Sequence, residues 1–151
     1  MSHVSQREFF QSVKEKFPDF FEGSRVLDVG SLDINGNSRH LFRDCEYIGL
    51  DLGTGPNVDV VSVAHEYDAP PFTVICSSST FEHDMYIRET LANIVRLLSP
   101  GGLFFFTCSG DEGEHGTSSV EPWASPFTTE IEGWSDVNPV SANPALKNAK
   151  N

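Results

Sequence analysis

Positive charge is scarce in this chain: 10 Lys and Arg stand against 22 Asp and Glu, a formal net charge of −12 over 151 residues. A surface of that sign repels phosphate backbones and anionic membranes, so a nucleic-acid partner is expected only with the help of a basic protein. No window holds the roughly 18 consecutive apolar residues of a membrane span, and Met1-Ser-His-Val-Ser-Gln-Arg-Glu8 has no basic stretch leading into an apolar one. No membrane association is therefore expected, and the location predicted is cytoplasmic. Only three cysteines occur, Cys45, Cys76 and Cys108, with no Cys-x-x-Cys pair among them. That excludes a disulfide framework or zinc knuckle and leaves buried thiols. Glu82-His83-Asp84 and Glu114-His115 lack the spacing of metal ligands, so no metal site is expected. His83 reads first as a structural or capping residue. Internal repeats and low-complexity tracts are also absent.

What is present alternates between strand and helix patterns. Phe9, Phe10, Val13 and Phe17 recur at helical intervals after a Ser5/Glu8 capping-box spacing, which predicts a helix over about 6–17 before Pro18. Arg25-Val-Leu-Asp-Val-Gly30 is a first strand ending on glycine, and Tyr47-Ile-Gly-Leu-Asp51 a second. Val58-Asp-Val-Val61 is a weaker third, Phe72-Thr-Val-Ile-Cys76 a fourth, and Leu103-Phe-Phe-Phe-Thr-Cys108 a fifth. A short helix is expected from Arg39, and a longer one along Ile87, Leu91, Ile94, Val95 and Leu98. Strands apolar throughout and interleaved with helices predict an α/β, doubly wound (Rossmann-like), mostly parallel sheet of about five strands. Two regions follow: 1–108 as the folded unit and 109–151 as an irregular acidic tail. That tail carries four Gly, four Pro and only two Lys, with Trp123, Phe127 and Trp134 available to form an aromatic wall or to fold back over the sheet edge.

In such a sheet a ligand lies beyond the carboxyl ends of the strands, where the order reverses. Gly30 permits close backbone approach there, and a helix N-terminus near Asn37 would attract an anion. Asp51 ends the second strand 21 residues later, where an acid can accept hydrogen bonds from two ribose hydroxyls. Asp28 sits inside the first strand, where a carboxylate needs a partner: a ligand ammonium group, or the backbone of the following loop.

Val26-Leu-Asp-Val-Gly30, Tyr47-Ile-Gly-Leu-Asp51, Phe72-Thr-Val-Ile-Cys-Ser77, Glu82-His83-Asp84 and Leu97-Leu-Ser-Pro-Gly-Gly102, in this order, resemble the class I S-adenosylmethionine-dependent methyltransferases, of the type 11-like group. The resemblance runs from about Arg25 to Cys108. It implies S-adenosyl-L-methionine as cofactor and methyl transfer to a small-molecule or tethered substrate. It further implies that Asp28, Gly30 and Ser31 approach the methionine part, that Asp51 and Leu52 hold the ribose, that Val63 and Ala64 flank the adenine, and that Ser77 faces the methyl group. No catalytic residue is assigned. The chain departs from the family pattern at Leu32 and Ile34, which replace two glycines, at Val63, where an acid is common, and in lacking the usual last two strands. A shortened sheet exposes an edge, so a homodimer or a protein partner is expected there, and a non-catalytic binding module is the alternative function.

Overall fold

A computed structural model describes residues 4–109 and 116–131. Glu114-His115, Trp134 and the final residues lie outside them. The first helix, α1, spans Val4–Lys16 and places Ser5 within its first turn rather than at its cap. Phe10 and Val13 are buried, whereas Phe9 and Phe17 are each 39% exposed, so only half of the apolar stripe is core. Pro18 cannot continue the helix, and a 3₁₀ turn over Pro18–Phe21 delivers Phe21 to the interior.

Five strands follow: β1 Arg25–Val29, β2 Glu46–Asp51, β3 Val60–Val61, β4 Phe72–Ser78 and β5 Leu98–Thr107, with helix α2, Ile87–Leu97, before the last. They form one sheet in the order β3-β2-β1-β4-β5, every pair parallel. The chain builds outward from β1 to β3 on one side, then crosses to β4 and β5 on the other. The order thus reverses at β1 and β4, and their carboxyl ends frame the crevice. β5 starts directly from α2, five residues earlier than its apolar run suggests, taking Pro100-Gly-Gly102 into the strand. Among the described residues it borders β4 alone.

Alternation along the strands sorts the core into two layers. Leu27, Val29, Leu50, Phe72 and Ile75 pack with Ile87, Ile94 and Leu97 of α2. Val26, Val74, Cys76 and Phe105 pack with Phe10 and Val13 of α1 and with Phe21 and Phe42. Phe72 and Val74 fall in opposite layers although two residues apart, because the β4–β5 register shifts between them. The same alternation puts Asp28 on the α1 face, in line with Val26. Cys76 is buried and Cys45 and Cys108 half-buried, all as free thiols.

The short helix expected after the first strand is only a 3₁₀ turn, Arg39–Leu41. Three residues sum too little peptide dipole to hold an anion, so the expected helix N-terminus near Asn37 is not formed. Among the described residues, no helix is long and apolar enough to cross a membrane.

Gly49 is required by contact. A Cβ there would lie 2.0 Å from the Asn57 carbonyl oxygen and 2.7 Å from Ser31 Oγ. Gly49→Ala is expected to lower stability by about 1–3 kcal/mol, an overpacking cost. Urea denaturation measures it, and an unchanged midpoint would refute the close contact.

Candidate functional site

Gly30 turns the chain out of β1 with φ +75°, and its N–H donates to the Leu50 carbonyl at 2.8 Å. A side chain there is doubly disfavoured: a Cβ would lie 1.9 Å from Thr80 Oγ1, in the loop after β4. The two loops that frame the crevice therefore touch across a glycine. Asp51, at the end of β2, ties the first of these loops to its own strand: one carboxylate oxygen accepts the Leu32 N–H at 2.9 Å and the other the Leu52 N–H at 2.7 Å. Burial raises its pKa, and these two bonds pull against that rise. Each oxygen keeps a further lone pair for a ligand hydroxyl.

The crevice holds a cavity of about 100 Å³. Of the residues expected at a cofactor site, Gly30, Asp51, Leu52 and Ala64 line it. Asp28 and Ser31 instead border a smaller cavity of about 30 Å³ against Phe10, which Gly30 also lines. Ser31 Oγ is buried with no hydrogen-bond partner among the described residues. Val63 and Ser77 lie off both cavities; Ser77 is fully buried and its hydroxyl donates to the Val29 carbonyl at 2.7 Å.

Leu32 and Ile34 stand where glycines were expected, and both line the larger cavity. The bulk of Leu32 is accommodated by a glycine elsewhere: a Cβ on Gly55 would lie 2.4 Å from Leu32 Cδ1. A single position of the loop pattern does not reveal such an exchange.

Asp28 finds its partners in the protein. Tyr47 donates its hydroxyl to the carboxylate at 2.6 Å, and the Asn57 amide approaches the same oxygen at 3.4 Å while donating to the Ser31 carbonyl at 2.8 Å. The Arg39 guanidinium lies over the Tyr47 ring, 4.6 Å from its centroid, and pairs with Asp59. Burial pushes Asp28 up to about 6, opposed by the Tyr47 hydrogen bond and reinforced by the Asp51 charge. Tyr47 and Asn57 carried no signal of their own, since a tyrosine opening a strand and an asparagine in a Gly-Pro loop are ordinary.

The far end of the cavity is built from the loop after β4. Ser79, in the left-handed region at φ +52°, donates its N–H to the Thr107 carbonyl at 2.8 Å and receives the Gln6 side-chain amide. The 3₁₀ turn Phe81–His83 buries Glu82, which accepts the Ser109 N–H at 3.2 Å, and leaves His83 on the cavity wall. Asp84, next in the chain, accepts the Tyr86 N–H at 2.8 Å and the Thr90 hydroxyl at 2.5 Å, while Tyr86, the N-cap of α2, makes no side-chain capping bond. His65 also lines the cavity. Two imidazoles able to accept a proton thus face one cavity. Among the described residues no group of His, Cys, Asp and Glu is arranged to hold a metal ion.

Residues 116–131 cover part of the cavity, which stays open to solvent on one side. Ala124, Ser125, Pro126, Phe127 and Thr128 form its outer wall, while Trp123 is 52% exposed. The aromatic wall considered from the sequence is thus supplied by Phe127.

Two solved structures share this architecture. Coclaurine N-methyltransferase bound to N-methylheliamine and SAH superposes with a TM-score of 0.53 at 16% identity, over 70% of this chain and 37% of that one. The MycE methyltransferase of the mycinamycin biosynthetic pathway, in complex with Mg, SAH and mycinamycin VI, gives 0.52 at 17% identity, over 70% and 35%. The chain therefore spans little more than a third of the length of either, and at such identities the likeness is one of fold. No curated protein sequence matches it. A family model described as a methyltransferase domain matches residues 1–138, taking in the sheet, the crevice and the segment over it. That extent decides the assignment: the chain belongs to the methyltransferase-domain family.

Proposed function

We propose that the crevice binds S-adenosylmethionine and that the chain transfers its methyl group to a small-molecule acceptor. The observation that carries this reading is the Asp51 carboxylate, fixed by two backbone N–H groups at the cavity wall beside the side-chain-free turn at Gly30. Asp51 would receive the ribose hydroxyls. Leu52 and Ala64 offer apolar surface for a purine, with Val63 behind them in the chain. Gly30 and Ser31, whose buried hydroxyl has no partner among the described residues, would meet the methionine end, where Asp28 supplies negative charge facing an ammonium group. Ser77 would act at one remove, by holding the Val29 carbonyl beside Gly30.

When bound, the cofactor supplies an electrophilic methyl group on a sulfonium. The chain contributes alignment and the exclusion of water, and a base only where the acceptor carries a proton. His83 and His65 are the groups placed to take it. We further assign 1–108 as the cofactor-binding unit and 109–151 as an appended tail. The two solved structures hold SAH together with N-methylheliamine or mycinamycin VI, which supports a small organic acceptor here.

Calorimetric titration with S-adenosylmethionine and S-adenosylhomocysteine tests the proposal. Dissociation constants in the micromolar range are expected, about −8 kcal/mol. Absence of binding by a chain that melts cooperatively would overturn it.

A further inference from the structure

The cavity under residues 116–131 is small for the ligand assigned to it. At about 100 Å³ it is below the roughly 150 Å³ void that admits one benzene, and below the about 300 Å³ at which ligand pockets begin. That space is too small to enclose a nucleoside carrying a methionine beneath the segment.

The obstruction is identifiable. Phe127 packs its ring on Gly53, two residues after Asp51: a Cβ on Gly53 would fall 2.4 to 2.6 Å from three ring carbons. At its other end the segment rests on His83, where a Cβ on Gly116 would lie 2.5 Å from the imidazole Cε1. It thus spans the cavity from the proposed adenosine end to the proposed acceptor end. Local turns stiffen it. Thr117 and Val120 exchange backbone and side-chain bonds, and Thr128 Oγ1 donates to the Ser125 carbonyl at 2.9 Å. Phe127 belongs to neither core layer. Its ring contacts lie in the cleft, outside both layers of the sheet core.

Resting on the cofactor reading above, we propose that residues 116–131 form an autoinhibitory strap whose Phe127 occupies the adenosine end of the cleft and competes with the cofactor. Binding must lift the ring from Gly53, so affinity is set by the displacement as well as by the Asp51 contacts. Entry of the cofactor also uncovers His83. The device couples loading of one end of the cleft to opening of the other.

Hydrogen–deuterium exchange of the ligand-free chain and titration with S-adenosylhomocysteine test this together, on wild type, Phe127→Ala and Gly53→Ala. The second variant keeps the phenylalanine and pushes it off with a methyl group, at a glycine without positive φ. Faster exchange at residues 51–55 in both variants is expected. So is binding about tenfold or more tighter for Phe127→Ala, the scale of one aromatic side chain no longer displaced. Unchanged exchange would overturn the strap contact. Equal or weaker binding by Phe127→Ala would overturn the competition, weaker binding making the ring part of the cofactor wall. Faster exchange with no binding by any of the three proteins would overturn the cofactor reading and the competition, leaving the contact established.

Discussion

Asp51→Ala should weaken S-adenosylhomocysteine binding by about two to four orders of magnitude. A diol donating two hydrogen bonds to a carboxylate gains about 1.5–3 kcal/mol from each, and alanine forfeits both. The substitution also removes the acceptor for the Leu32 and Leu52 N–H groups, so the loop that carries Leu32 and Ile34 into the cavity loses its tie to β2. Asp51→Asn separates the two effects. Its amide oxygen still accepts one backbone N–H while its NH2 faces the other donor, and the charge is gone, so affinity falls as far as in the alanine variant while the loop keeps half of its tie, at about 1–3 kcal/mol of stability. Calorimetry with parallel melting curves reads both. A loss of less than fivefold in the alanine variant would remove Asp51 from the site.

The second large effect is expected at Asp28→Asn, and it is pH-dependent. Burial raises the folded-state pKa from 3.8 to about 6, so between these values the folded chain holds a proton that the unfolded chain has released. The contribution of Asp28 to stability is complete below pH 4 and is lost as pH rises through about 6. At pH 7.5 the charged form costs about 2–3 kcal/mol, which asparagine avoids while still accepting the Tyr47 hydroxyl. Its amide nitrogen then faces the Cys76 sulfur, at the 3.9 Å now separating sulfur and carboxylate. The variant should melt roughly 5–10 °C higher than wild type at pH 7.5 and within a few degrees of it at pH 4.5. Calorimetric melts across this range decide, and a difference independent of pH would refute the protonation argument. Weaker S-adenosylhomocysteine binding by the more stable variant would show that the buried charge is kept for the ligand ammonium group.

Sheet composition, strand sequence and the glycine–acid pair at Gly30 and Asp51 were legible in the sequence, because each is written in local patterns. A run such as Val26-Leu-Asp-Val29 buries both faces and declares a central parallel strand. An acid following a strand is visible without knowing its neighbours. Only the tertiary structure decided the partners. Asp28 meets Tyr47 across adjacent strands, Gly30 meets Thr80 because β1 and β4 are neighbours, and Leu32 is tolerated because Gly55 lacks a side chain. His83 lines the cavity and Asp84 turns to the Tyr86 N–H and the Thr90 hydroxyl because a three-residue 3₁₀ turn sets their directions. Phe127 reaches Gly53 through a tail whose sequence has no period to read. Periodicity reports which face of its own element a residue occupies, whereas a contact depends on which element packs opposite, and that is fixed only when the whole chain has folded.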